Sequence, residues 1–382
     1  MGFEMDYREA NNRDRLIECR AFLSMADYVE EDAKLYFSNT NYNALVIVDK
    51  ATWTVEQTIP FEGEERAAQN LHLRCVKKAG KICFLPAESK SVHIYDIKAG
   101  KQYICGFPNQ DKGTEAQVKW DYFIYNDQIY LLPGHGRQRM WRWNVSKNDL
   151  EMEEWWSVPG ADSALRHGSM DDESFYSLAT GTNQLFITNM YKRLTDMVCL
   201  PDGRINNITY DGKNFWYTME GNLDIVCWNP KEGIQDRYNL QDNLGVESDR
   251  TCYGEIYFTA GHLFIFTGIR QQIYVLNPNN KNVTAIYNIK CSRGAFQLEE
   301  VVPSVKCVGN TLICPLQNAG DMVFIDLDTL EVKQCGVMLS TNEKDQEYAY
   351  RIALRRNALL YEDSDRVGLD TVLRFCMENE EG

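Results

Sequence analysis

Short apolar runs recur along the chain at a nearly constant interval. Seven stretches share one plan: an apolar segment, a short polar loop, and a second apolar segment closed by Asp or Asn. They read LYFSNTNYNALVIVD (35–49), CFLPAESKSVHIYD (83–96), YLLPGHGRQRMWRWN (130–144), SLATGTNQLFITN (177–189), YTMEGNLDIVCWN (217–229), FIFTGIRQQIYVLN (264–277) and ICPLQNAGDMVFID (313–326). The closing residues Asp49, Asp96, Asn144, Asn189, Asn229, Asn277 and Asp326 lie 47, 48, 45, 40, 48 and 49 residues apart. An Asp or Asn at such a position caps the backbone of the turn that follows it.

The positions just before each closing residue are almost all apolar, as in LVIV, IYVL and MVFI. Alternation would mark a sheet with one wet face, whereas continuous apolarity marks strands covered on both faces. Each unit also has a strand before it, such as LRCVKKAG (73–80) or WDYFIYND (120–127), and one after it, such as VTAIYNI (283–289). Four strands in about 46 residues is the size of one blade of a radial all-β ring.

The units IYDIKAGK (94–101), VLNPNNKNV (275–283) and FIDLDTLEV (324–332) resemble the strand–turn–strand units of six- to eight-bladed β-propellers of the TolB, YVTN and quinoprotein-like kind. The resemblance covers about residues 24–363, and the chain is also similar to propeller proteins of anaerobic bacteria. It implies an all-β fold, a β-propeller of four-stranded antiparallel blades forming a single domain over 1–382. The kelch double glycine is absent, and the pairs Gly134-His135 and Trp143-Asn144 have the wrong order and spacing for WD40 marks.

Seven repeats are expected at about 24–61, 72–106, 118–156, 163–200, 204–240, 252–289 and 304–338. Further strands are expected over 348–363, with an N-terminal strand at 14–23 completing a composite eighth blade. Leu369, Val372, Leu373 and Cys376 fall at helical spacing, which predicts a short C-terminal helix over 367–378. Eight blades is the favoured count and seven the alternative.

Composition narrows the partners. Hydrophobic residues make up 44% of the chain, enough for a large core, and the formal net charge of −15 disfavours nucleic acid and anionic membrane. The N-terminus has no basic segment followed by an apolar run, and no stretch of apolar residues is long enough to span a bilayer. A cytoplasmic location is therefore expected. The 12 cysteines form no CxxC and the five histidines are scattered, so reduced thiols, no metal site and no cofactor are expected. No HExxH, P-loop or GxSxG occurs, and Gly134-His135-Gly136-Arg137 lacks the third glycine of a dinucleotide loop.

One residue breaks the repeat. Arg142 stands in a column held elsewhere by Ile47, Ile94, Ile187, Cys227, Val275 and Phe324, with Trp141 and Trp143 on either side. A guanidinium there needs an ion pair or an indole to stack on.

Propeller topology places the loops between second and third strands on the same rim as the links between blades. That rim gathers Lys90, His135, Arg137, Arg139 and Arg270, with Arg66, Arg166, His167 and Arg293 near the links. It shares them with Glu62, Glu64, Glu65, Asp111, Glu115 and Asp242. The candidate ligand-binding set is His135, Arg137, Arg139, Trp141, Arg142, Arg166, His167 and Arg270. Three functions fit. The first is a non-catalytic scaffold for a protein or peptide partner. The alternatives are binding of a small anionic or sugar ligand in the funnel, and a glycan-active lyase or hydrolase.

Overall fold

The computed structural model describes residues 23–66, 68–105, 121–132, 140–153, 165–179, 181–219, 224–239, 253–267, 272–289, 304–317 and 320–337. They form seven four-stranded antiparallel sheets. Blade 1 holds β1 (Val29–Glu31), β2 (Lys34–Ser38), β3 (Leu45–Asp49) and β4 (Thr54–Ile59). Blade 2 holds β5 (His72–Lys78), β6 (Lys81–Pro86), β7 (Val92–Asp96) and β8 (Lys101–Cys105). Blade 3 holds β9 (Asp121–Tyr125), β10 (Gln128–Leu132), β11 (Met140–Asn144) and β12 (Asp149–Glu153). Blade 4 holds β13 (Leu165–Met170), β14 (Ser174–Ala179), β15 (Gln184–Asn189) and β16 (Leu194–Cys199). Blade 5 holds β17 (Ile205–Tyr210), β18 (Phe215–Met219), β19 (Asp224–Asn229) and β20 (Gly233–Asn239). Blade 6 holds β21 (Tyr253–Thr259), β22 (His262–Thr267), β23 (Gln272–Asn277) and β24 (Asn282–Asn288). Blade 7 holds β25 (Lys306–Val308), β26 (Thr311–Leu316), β27 (Asp321–Asp326) and β28 (Val332–Gly336).

The closing Asp or Asn of each unit ends the third strand of its blade, and all seven cap the next turn. Asp49 Oδ1 accepts from Ala51 N at 2.6 Å, Asp96 Oδ1 from Ala99 N at 2.8 Å and Asn144 Oδ1 from Lys147 N at 3.2 Å. Asn189, Asn229, Asn277 and Asp326 do the same for Lys192, Lys231, Asn279 and Thr329. The apolar runs before them are buried on both faces, because each blade lies between two others. Leu45, Val46, Ile47 and Val48 show the consequence: successive side chains point to opposite faces, yet all four are buried.

Seven apolar clusters fill the seven boundaries between blades. Phe84 and Ile82 pack on Tyr36 and Ile47, and Trp143 and Ile129 on Cys83 and Ile94. Phe175 packs on Phe123, Phe215 on Tyr176, Ile265 on Trp216 and Leu312 on Phe264. The seventh cluster sets Ile313, Met322 and Val337 of blade 7 against Phe37 and Val46 of blade 1. The ring therefore closes on seven blades, the alternative count, rather than eight: blade 7 packs directly on blade 1 and leaves no gap for another sheet. Residues 348–363, 367–378 and most of 14–23 lie outside the described residues.

A strap from Leu23 to Tyr28 secures that closure. Met25 N donates to Gln317 O at 3.1 Å, Thr40 N to Ser24 O at 2.9 Å, and Ser304 Oγ to Ala26 O at 2.9 Å. Gly320, at φ +64°, lets the chain approach: a Cβ there would stand 2.7 Å from Leu23 Cβ and 3.1 Å from its carbonyl oxygen.

First strands of consecutive blades adjoin, as β1 with β5, β5 with β9, β9 with β13, β13 with β17 and β17 with β21, so these strands surround the axis. Antiparallel order then puts the loops between second and third strands on the upper rim with the interblade links. The other hairpin turns lie on the lower rim.

Candidate functional site

The innermost strands carry a polar girdle that recurs with the repeat. Arg74 pairs opposite Leu85, Asp121 opposite Leu132, Arg166 opposite Leu178, Asn207 opposite Thr218 and Glu255 opposite Phe266. All five partners are the same residue of the second strand, counted from the hairpin. Extending the registers of blades 1 and 7 brings Asp27 and Ser304 to the same place. A β-bulge immediately precedes this position in blades 2, 5 and 6, and the bridge between Met25 and Asn39 puts one there in blade 1. Bulges interrupt pairing and re-aim the next side chain, and they recur beside functional sites. In blade 4 the shift lies between His167 and Ser169, where Gly168 is the extra residue and a Cβ would stand 2.6 Å from Ile208 Cγ2.

Four of the girdle side chains, Asp27, Arg74, Asp121 and Ser304, join one blade to the next. Asp27 is almost fully buried; its Oδ1 lies 2.6 Å from Lys306 Nζ of blade 7, and its Oδ2 accepts from Cys75 N of blade 2 at 2.9 Å. Lys306 also lies over the Tyr28 ring, 4.6 Å from its centroid. Arg74 Nε meets Asp121 Oδ1 of blade 3 at 3.3 Å. Withdrawal from water is the largest influence and favours the neutral lysine, but the Asp27 carboxylate and the other groups around it together overcome it, and the Lys306 ammonium is held well above its ordinary range. For Arg74 too, burial is overcome by Asp121, Asp27 and Glu255, so the guanidinium is firmly charged. Burial pushes the Tyr122 phenol and the Cys75 thiol up, keeping both neutral. The axis thus holds Asp27, Asp121 and Glu255 against Arg74 and Lys306, charges of both signs fixed across blade boundaries. It presents ionic hydrogen-bonding groups, and no group of three metal-ligating side chains occurs among the described residues.

Of the eight residues expected to form the site, six have side chains outside the described residues. His135, Arg137, Arg139 and Arg270 lie outside the described residues. Arg166 and His167 lie in β13, with Arg166 at the girdle position; their side chains lie outside the described residues. Trp141 is half-buried in the cluster between blades 2 and 3. Arg142 lies in β11 with its side chain partly exposed. It reaches β12, with its NH2 group 2.7 Å from Glu151 Oε2 and its Nε 3.2 Å from Glu153 Oε1. The ion pair, not an indole stack, therefore answers the oddity seen in the repeat. Hydrogen bonds from Asn144, Lys147 and Arg142 pull the Glu151 carboxyl down to about 2. Beside it, a shallow cavity of about 270 Å³ opens on the lower rim, lined by Lys78, Arg142, Trp143, Asn144 and Glu151 among others.

The girdle is what sequence reasoning missed. Its signal was present: Asp27, Arg74, Asp121, Arg166, Asn207, Glu255 and Ser304 follow the interval of the closing Asp and Asn residues. Residue type changes at every step, so only the hairpin register makes the series visible.

No protein-family model and no curated protein matches the chain. Solved structures do match, and they place it in the class of β-propellers. The RRP9 WD40 repeats superpose with a TM-score of 0.54 at 12% identity, covering 77% of this chain and 88% of that one. A streptogramin B lyase gives 0.53 at 14%, covering 76% and 89%. The computationally designed protein Ika8 gives 0.52 at 9%, covering 82% and 87%. At such identities the likeness is one of fold, in agreement with the resemblance to propeller repeats.

Proposed function

We propose that the chain is a non-catalytic scaffold that engages a protein or peptide partner. The observation that carries this reading is the outer edge of blade 4. Tyr191 is 85% exposed, Leu194 62% and Met197 45%, three large apolar side chains within one turn and the strand that follows. Large apolar side chains exposed along an outer edge are features that interaction surfaces use, and Tyr and Met are residue types enriched in interfaces. The axial girdle supports the same reading from the other side. Its carboxylates and cations hold blades together, whereas acid–base catalysis needs a group within reach of a substrate proton. The likeness to WD40 repeats is in keeping with a protein partner.

A photo-crosslinking residue at position 191 tests the proposal, with Lys98 on the outside of blade 2 as the control position. The captured partner, purified, is expected to bind wild type at least tenfold more tightly than Tyr191→Ser/Leu194→Ser. Equal affinity for both would overturn the assignment of this edge.

A small anionic ligand at the axis is the second reading. It is favoured by Arg74, Arg166 and Lys306 all arising from innermost strands. Calorimetric titration with anionic sugars and nucleotides tests it: heat lost in Arg74→Gln supports the reading, and no heat with wild type removes it.

A further inference from the structure

The junction of blades 1 and 2 contains a buried pair of histidines that the girdle and the outer edge do not use. His72, the first residue of β5, is 2% exposed, and His93, in β7, is 1% exposed. Their rings meet with His72 Nε2 at 3.0 Å from His93 Nδ1. His93 Nε2 lies 2.9 Å from the Glu62 carbonyl oxygen, and Ser38 Oγ lies 3.4 Å from His72 Nδ1.

The direction of this chain follows from its fixed end. The Glu62 carbonyl only accepts, so His93 carries its proton on Nε2 and offers Nδ1 as an acceptor. His72 must then carry its proton on Nε2 and offer Nδ1 to the Ser38 hydroxyl. Both rings are neutral, and each nitrogen has a partner.

The pair clasps a segment of the upper rim. Phe61, which opens the link between the two blades, lies against both imidazoles, 4.3 Å from the His72 centroid and 5.1 Å from that of His93. Phe61 N donates to Asn43 Oδ1 at 2.7 Å, and Asn43 Nδ2 donates to the carbonyls of Phe61 and Glu64 at 3.1 and 3.0 Å. Glu64 Oε1 accepts from Ser89 Oγ and Lys90 N of the β6–β7 loop at 2.7 and 2.8 Å. The link and this loop are thus one hydrogen-bonded unit built around the histidines.

We propose that His72 and His93 form a pH-sensitive latch that holds the 60–66 link and the 87–90 loop on the upper rim and releases them on acidification. A proton added to His93 Nδ1 turns two donors toward each other and breaks the bond between the rings. A proton added to His72 Nδ1 leaves Ser38 able to accept, but places a cation among Phe61, Phe84 and the second ring. The titratable groups that face the pair are Glu62 and Glu64 of the link, and Glu64 is engaged by the 89–90 loop. From β2 the pair meets Ser38 and from β6 Phe84, neither of which titrates.

Burial first, and for His72 also its neighbour, lowers both rings below the ordinary imidazole range. A depressed histidine means that the unfolded or opened state binds the extra proton. The latch therefore contributes fully above about pH 6.5 and is lost as pH falls from there through the depressed values.

The test uses the full chain. Nitrogen-15 histidine spectra at pH 8 are expected to show the Nε2–H tautomer for both rings. Hydrogen exchange from pH 7.5 to 5, corrected for the intrinsic rate, is expected to show at least tenfold more opening in peptides spanning 60–66 and 87–90. A peptide of β14 in blade 4 is expected to hold steady. His93→Gln, which retains a donor for Glu62 O, should lose most of this pH dependence; if it does not fold, the wild-type spectra and exchange decide. Either ring titrating near 6.5 without local opening, or the two peptides opening no more than the β14 peptide, would overturn the latch.

Discussion

Arg74 and Asp121 occupy the same position of consecutive blades, and the guanidinium of one meets the carboxylate of the other across the boundary between them. Asp27 and Lys306 do the corresponding work where the ring closes. Blades 1 and 7 meet at that boundary, so the ion pair there joins sheets far apart in the sequence.

Removing one partner of this closing pair should be costly. Asp27→Ala strands the Lys306 ammonium and leaves Cys75 N without its acceptor. A loss of about 3–5 kcal/mol is expected in urea unfolding, the range for breaking a buried pair from one side. Replacing both, as Asp27→Asn/Lys306→Met, should lose less than Asp27→Ala. The reverse order would show that the pair does not close the ring.

Gly320 should tolerate no side chain. Its positive φ and the approach of Leu23 to 2.7 Å from a Cβ act together. Gly320→Ala is expected to lower stability by about 2 kcal/mol or more, through overpacking and strained backbone. Gly100, also at positive φ but in open space, gives the strain alone. A thermal melt in which Gly320→Ala loses no more than Gly100→Ala would mean that the strap moves aside.

The turn caps predict a small, chemically graded effect. Asp96→Asn keeps the Oδ1 acceptor for Ala99 N, whereas Asp96→Ala removes it. A difference of about 1 kcal/mol between the two variants is expected in chemical denaturation, the net worth of one hydrogen bond. Equal stability would assign the turn to backbone preference alone.

Thiol reactivity should divide by burial. The eight cysteines among the described residues are free; Cys75, Cys83, Cys105, Cys227 and Cys314 are buried, while Cys199 and Cys307 are exposed. Burial pushes Cys105 up to about 11 and Cys227 up to about 12. Since the thiolate is the reactive form, these two should stay unmodified by a disulfide reagent at pH 8 until denaturant is added. Cys199 and Cys307 should react in the native protein. Mass-spectrometric mapping of the labelled sites distinguishes the two groups, and labelling of Cys227 before unfolding would contradict the packing.

The strands, their spacing and their turns were determined locally. An apolar run buried on both faces and an Asp or Asn that caps its own turn need only neighbouring residues, so the period from Asp49 to Asp326 announced a propeller. Arg142 was legible in the same way: its column demanded a partner, and the adjacent strand supplied Glu151 and Glu153. Blade number was not local. It depends on whether the seventh sheet reaches the first, which Ile313, Met322 and Val337 settled by packing on Phe37 and Val46. The girdle and the histidine pair escaped for a related reason. Asp27 finds Lys306 from 279 positions away, and His72 finds His93 from 21, with no shared motif in either case. Each side chain is unremarkable in its own blade, and only the circular stacking of blades, which brings first strands together around one axis and links together on one rim, gives it a partner.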